Sequence, residues 1–238
     1  MNRFEIKSTA GVIALLAIVV MSLMLNACKG TKSENDENFF HHGPPVITVF
    51  FVPMDGVSTE TMKRLKEDFQ TKFTDKQWEP YEVEILDHIV TPDSCYNDAK
   101  TRLRADKILR TLSKQYSEIA KEKAKEKDPE SWAYHIVGVT NKDISTTVHG
   151  KPDYGILGLS FLGHKHGDTS VVSTYRLKRK KDLWKLAAHE FCHGFYGCPH
   201  CKNNDPHCIM ADAKGGNPHF EIKDSLCLDC ANICLIGD

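Results

Sequence analysis

HEFCHGFYGCPHC, residues 189–201, is the stretch on which the fold and the chemistry both turn. In an α-helix each residue rotates the chain by ~100°, so His189 and His193 share one face and can present their rings to one ion. Glu190 projects beside them, where a carboxylate can take a proton from water held by that ion. Gly197 is free to adopt the left-handed conformation that ends a helix, after which the chain turns back and brings His200 to the same ion. Three neutral imidazoles leave a fourth position open, which is the donor set of a catalytic zinc rather than a structural one.

The flanking residues support a helix here. In KDLWKLAAHE, Leu183, Leu186 and Ala187 fall at helical spacing ahead of the histidines, and Asp182 stands where an acidic side chain favours a helix N-terminus. Downstream, Cys201, Cys208, Cys227 and Cys230 form a second cluster, with C-I-M at residues 208–210 and C-L-D-C at residues 227–230. Four thiolates suit a closed tetrahedral zinc that holds a loop-rich tail together. Cys198 competes for this site, because residues 198–201 are themselves a C-x-x-C that pairs with residues 227–230 in ribbon-like spacing, and His207 is a further rival.

Together these residues resemble the archaemetzincins, a branch of the metzincin metallopeptidases whose motif runs H-E-x-x-H-x-x-G-x-x-H-C, then four residues, C-x-M and a later C-x-x-C. His189, Glu190, His193, Gly197, His200, Cys201, Cys208, Met210, Cys227 and Cys230 fall on it in order. Upstream, HIVGVTNKDI from His135, GILGLSFLG from Gly155 and SVVSTYRL from Ser170 look like that family's strands before the active-site helix, and CYNDAKTRLRADKILRTL from Cys95 like its long N-terminal helix. The resemblance begins near Val46 and continues to the C-terminus. It implies two zinc ions, a catalytic one on His189, His193 and His200 and a structural one on Cys201, Cys208, Cys227 and Cys230. It also implies Glu190 as general base and Met210 as the apolar floor beneath the catalytic metal.

The chain departs from the motif twice, with one extra residue between His193 and Gly197 and six residues rather than four between Cys201 and Cys208. One added helical residue rotates the chain beyond it by ~100°. Gly197 and the turn GCPH are expected to recover that rotation, since Gly-x-x-His is intact.

The 238 residues are 41% hydrophobic and 26% charged, ordinary for one substantial globular domain. A formal net charge of −1 gives no basic footprint and argues against a nucleic-acid partner. At the N-terminus, Arg3 and Lys7 precede an uncharged stretch, residues 11–25, shorter than the ~20 residues needed to span a bilayer as a helix. L-N-A-C at residues 25–28 resembles a lipoprotein cleavage box. The expected organisation is a signal peptide over 1–27, lipidation at Cys28, a polar tether over 28–45 and a catalytic domain over 46–238. An uncleaved membrane anchor is the rival reading. The first organisation implies a bacterial cell-envelope protein held to a membrane by its lipid, presumed monomeric. His41 and His42 lie in the tether and receive no role.

The expected fold class is α+β: a metzincin-like mixed β-sheet covered by helices, with a zinc-binding active-site helix and a cysteine-rich, zinc-stapled C-terminal segment. Residues 46–52 read as a buried strand, and from Ser58 a helix presents Met62, Leu65, Phe69 and Phe73 on one face. YEVEIL from Tyr81 alternates as a half-buried strand. A long helix begins near Asn97 with a stripe of Ala105, Ile108, Leu109, Leu112, Tyr116, Ile119 and Ala120, closed by Pro129. Strands are expected around 133–140, 156–162 and 170–174. If the second lies at the sheet edge, it can pair with an extended substrate backbone. His164 and His166, just after it, read as surface residues or contributors to substrate choice.

Two functions are compatible with these residues. The first is a zinc metallopeptidase in which Glu190 deprotonates zinc-activated water to attack a peptide or protein substrate. The second is a zinc-stabilised, catalytically degenerate binding or structural lipoprotein, motivated by the extra residue before Gly197. A disulfide-linked tail without structural metal is a third arrangement.

Overall fold

The computed structural model describes residues 46–73, 81–161, 168–212 and 220–236. The signal segment, Cys28, the tether with His41 and His42, and the loop with His164 and His166 lie outside them.

The first strand, β1 (Val46–Pro53), is almost continuously apolar because both its faces are covered. Ile47, Val49 and Phe51 face one core and Phe50, Val52 and Met54 the other. Helix α1 (Thr59–Phe73) packs Met62, Leu65, Phe69 and Phe73 into the first core, as its spacing predicts. The half-buried strand β2 (Glu82–Ile85) then pairs parallel to β1.

The long helix starts later than its sequence suggests. Residues 97–102 form a turn in which the Asn97 side chain accepts from the Thr101 and Arg102 amides, an alternative that draws asparagine away from helices. A two-residue strand β3 (Leu103–Arg104) follows, and helix α2 runs from Ala105 to Lys127. Its buried stripe has one correction. Ile119 is 44% exposed, and Ala124 extends the stripe instead.

Strand β4 (Trp132–Thr140) joins β1 in parallel. The chain then makes a hairpin absent from the expected elements, β5 (Ile144–Val148) with β6 (Lys151–Ile156), which together with β3 forms a second, three-stranded sheet. Polar residues and the absence of a strong alternation hide it in the sequence. The strand expected over 156–162 is therefore split: β6 belongs to the small sheet, and β7 (Gly158–Ser160) to the main one. Strand β8 (Asp168–Ser173) completes a main sheet of order β2-β1-β4-β8-β7, in which only β7 runs antiparallel. The short β7 thus ends the sheet at one edge. Helices lie on both faces, so the main sheet is mixed and covered by helices, as expected.

After a 3₁₀ turn (Lys180–Asp182), helix α3 (Leu183–Tyr196) carries the decisive motif. Residues 183–195 are buried all round, because the sheet lies on one side and the cysteine-rich tail on the other. Asp182 precedes it but makes no side-chain cap; Arg179 holds its carboxylate through two bonds of 2.6 and 2.9 Å. Phe191 anchors the helix, its ring 5.2–6.0 Å from those of Phe69, Phe73 and Tyr81. Phe191→Ala is expected to lower the stability of the metal-loaded protein by about 3–5 kcal/mol, read by denaturant unfolding. The tail ends in α4 (Leu228–Ile236), a helix not anticipated from the sequence. Among the described residues no helix is long and apolar enough to cross a membrane.

Candidate metal centre and active site

The structure brings the three histidines together: ligating nitrogens of His189, His193 and His200 all lie within 4.8 Å of one another. Nε2 of His189 and of His193 are only 3.0 Å apart. Their opposite nitrogens explain why. His189 Nδ1–H donates to the Ile209 carbonyl at 2.8 Å and His193 Nδ1–H to the Cys198 carbonyl at 2.6 Å, so each ring turns an Nε2 lone pair inward. Burial, then the neighbouring imidazoles, holds both rings well below the ordinary histidine range, His193 at about 4. Both are therefore neutral at physiological pH, the form that binds metal. His189 is buried while His200 is exposed, so the group faces solvent on one side.

The extra residue is absorbed in the last turn of α3. The Gly197 amide bonds to the Cys192 carbonyl five residues back, and the Cys198 amide donates to the same carbonyl at 3.1 Å. A turn one residue wider than an α turn takes up an insertion without passing on its rotation. Gly197 completes the reversal at φ 66°, a left-handed value that glycine adopts without steric cost. The His200 ring is then 4.7 Å from that of His193 and 5.3 Å from that of His189.

Glu190 is buried against the edge strand. The Ser160 hydroxyl lies 2.5 Å from the Glu190 carbonyl oxygen and 3.2 Å from Oε2. Burial pushes the Glu190 carboxyl up to about 8, and the Ser160 bond opposes that only in part. A carboxyl poised to hold a proton near neutrality suits a group that must both take and return one. Ser160 was not singled out in the sequence, where nothing distinguishes it from any strand serine. Gly158 is required in the same contact, because a Cβ there would come within 2.5 Å of Glu190 Oε1. Gly158→Ala should displace the carboxylate and lower any hydrolysis that depends on Glu190 by about 10²-fold with metal content unchanged, a split that rate and metal assays together would detect.

Under the helix, His135 of β4 is fully buried, and burial takes its imidazole down to about 3. Its Nε2 meets the Ser170 hydroxyl, and its ring lies where a side chain at Gly194 would fall. Gly194 thus lets the helix settle onto the sheet.

The sulfurs of Cys201, Cys208, Cys227 and Cys230 also lie within 4.8 Å of one another. The Cys201 and Cys227 sulfurs are 3.7 Å apart, close to the about 3.8 Å edge of a zinc–thiolate tetrahedron and far beyond the about 2.0 Å of a disulfide. All eight described cysteines are free thiols. Burial raises the Cys208 thiol to about 12 and pushes Cys230 up as well, so these sulfurs become anionic only against a cation. The donor set therefore fits a metal ion. Cys198 is instead buried with its sulfur toward the Cys230 carbonyl at 3.9 Å, and the His207 ring faces the Ile222 carbonyl. The two additional residues between Cys201 and Cys208 are taken up by consecutive turns, with Asn204 at φ 47°. Met210 is fully buried in the segment whose Ile209 carbonyl orients His189.

A mixed sheet ending in an antiparallel edge strand, a buried helix bearing two of three converging histidines, and a four-thiol tail define the fold of the archaemetzincins. Solved structures bear this out. An archaemetzincin from Archaeoglobus fulgidus, complexed with malonate, matches with a TM-score of 0.56 at 23% identity, covering 78% of this chain and 99% of its own. One from Methanopyrus kandleri gives 0.57 at 17% identity, covering 81% and 95%. A zinc-dependent peptidase from Methanocorpusculum labreanum gives 0.57 at 18% identity, covering 79% and 99%. No protein-family model and no curated protein sequence matches the chain.

Proposed function

We propose that this chain is a zinc metallopeptidase of the archaemetzincin type. The observation that carries the proposal is the convergence of three imidazoles, with the carboxylate of Glu190, next to His189 in the chain, buried against the edge strand. His189, His193 and His200 would hold the catalytic zinc, and Cys201, Cys208, Cys227 and Cys230 a second, structural one. Bound there, zinc polarises a carbonyl and acidifies coordinated water. The chain's own residues do the rest. The outer edge of β7, which pairs with no further strand among the described residues, offers backbone donors and acceptors to an extended peptide and lays its scissile bond beside Glu190. Glu190 accepts the proton of the attacking water and returns it to the leaving amine. Ser160 keeps the carboxylate aimed by holding both ends of the residue. The likeness to solved peptidases supports the same reading.

The alternative, a zinc-stabilised, catalytically degenerate binding or structural lipoprotein, draws on the insertion before Gly197; the widened turn, with His200 beside its partners, favours the peptidase. Metal analysis tests the proposal. Two zinc equivalents per chain, with peptide cleavage lost on chelation and restored by zinc, are expected; a folded chain with one zinc, bound by thiols, and no turnover would refute it.

Lipidation at Cys28 would tether this activity to a membrane of the bacterial envelope, consistent with the polar stretch of residues 28–45. Cys28→Ser is expected to abolish fatty-acid labelling and move the protein to the soluble fraction, which membrane fractionation would show.

A further inference from the structure

Two of the three histidines are tied directly to residues at or beside the thiol cluster, and the third to the turn that leads into it. His200 is joined to Cys201 by a single peptide bond. His189 donates to the carbonyl of Ile209, the residue after Cys208. His193 donates to the carbonyl of Cys198, whose sulfur sits 3.9 Å from the Cys230 carbonyl. Further bonds close the frame. The Cys201 amide donates to the Met210 carbonyl at 2.8 Å, the Ile209 amide to the Ser225 carbonyl at 2.8 Å, and the Cys227 amide to the Cys208 sulfur at 3.4 Å. The buried Lys223 ammonium donates to the Ala211 carbonyl, and Lys185 to the carbonyls of Phe220 and Glu221.

Among the described residues of this tail frame there is no regular strand: Cys208 and Ser225 form an isolated bridge, and the others before α4 lie in turns and irregular stretches. Ile209, Met210 and Phe220 bury apolar surface in the main core, and a metal on the four thiolates would add the cross-links that fix the turns between them. The Ile209 carbonyl that aims His189 stands next to Cys208, so a metal on the thiols would help to fix its place.

We infer that the thiol cluster is the positioning device of the histidine site, so that the two metals bind as a coupled pair. The inference rests on the proposal that both clusters hold metal, and adds that filling one raises the affinity of the other. Two ligands are linked to the cluster, His189 through the Ile209 carbonyl beside Cys208 and His200 through its peptide bond to Cys201, and loss of an outer partner such as that carbonyl weakens metal binding by about 10–100-fold. Coupling is reciprocal, so the same factor must appear at the thiol site when the histidines are filled.

The experiment uses the full chain, with Cd²⁺ as the soft probe of the thiols and Co²⁺, read by its visible absorption, as the probe of the histidines. With Cd²⁺ loaded first, Co²⁺ should bind the histidines of the unmodified chain and of Cys227→His, which keeps four donors, about 10–100-fold more tightly than those of a Cys227→Ser Cys230→Ser chain. A folded double-serine chain that binds Co²⁺ as the unmodified chain does would overturn the inference. The reciprocal arm decides if that chain does not fold. Cd²⁺ affinity, measured by chelator competition at one free Zn²⁺ concentration, should fall by the same factor in His189→Ala His193→Ala, and an unchanged value would overturn it. No peptide turnover enters either arm. Failure of the coupling thus leaves the peptidase reading standing, whereas Co²⁺ that never binds the histidines removes that reading.

Discussion

Glu190→Gln is expected to lower peptide hydrolysis by about 10²–10⁴-fold while the zinc content stays the same. Glutamine keeps the volume of the buried side chain and an oxygen for the Ser160 hydroxyl, so the packing against β7 survives. What it loses is the ability to take a proton. Glu190 is not among the clustered metal donors, and His189, His193 and His200 are untouched by the change. Cleavage of a mixed peptide library, set against zinc analysis of the same preparation, reads both quantities. Retained turnover would remove Glu190 from the mechanism; lost zinc would recast it as a ligand.

The second large effect is expected at Cys208. If the four thiols hold zinc as proposed, Cys208→Ser should lose that ion and loosen the tail, because structural zinc contributes about 10–16 kcal/mol in zinc-finger peptides, as much as the about 5–15 kcal/mol that holds a whole domain. Cys208 also links the tail to the site, since the next residue accepts the His189 bond. Cys95→Ser is the control. Cys95 is equally buried, beside α2 and the Thr111 hydroxyl, but belongs to neither metal cluster. Limited proteolysis should cut the Cys208 variant within residues 198–236 and leave the Cys95 variant intact, with zinc content falling only in the former. Equal protease resistance in the two would show that the tail folds without its metal.

Residue types with narrow chemistry made the site legible. His189, His193 and Gly197 announce a metal-binding helix and its stop in one line of sequence, and the four cysteines recur at ligand spacing. The apolar runs of β1 and β4 were equally plain, because parallel strands covered on both faces have no solvent side to interrupt them. The parts that stayed hidden are those whose role depends on a distant partner. Ser160 matters only because β7 ends the sheet beside α3, and Gly158 only because Glu190 fills the space its side chain would take. Residues 97–104 carry helical spacing yet form a turn and a short strand, since the Asn97 side chain satisfies local amides that a helix would otherwise claim. The hairpin of β5 and β6 alternates weakly, and α4 is too short and too uniformly apolar to show a periodic face. The insertion before Gly197 adds ~100° of rotation, which Gly197 and the turn GCPH are expected to recover, and His200 does reach its partners. The recovery includes a widening of one turn, which spacing alone does not distinguish.

The chemistry proposed here depends on three imidazoles meeting one ion with a position left over. Zinc-edge X-ray absorption on the full chain, with the thiol site filled by Cd²⁺ so that zinc occupies only the histidines, measures this directly. Three imidazole nitrogens and one lighter oxygen donor at about 2.0–2.1 Å are predicted. Two imidazoles, or sulfur in the coordination shell at about 2.3 Å, would contradict it.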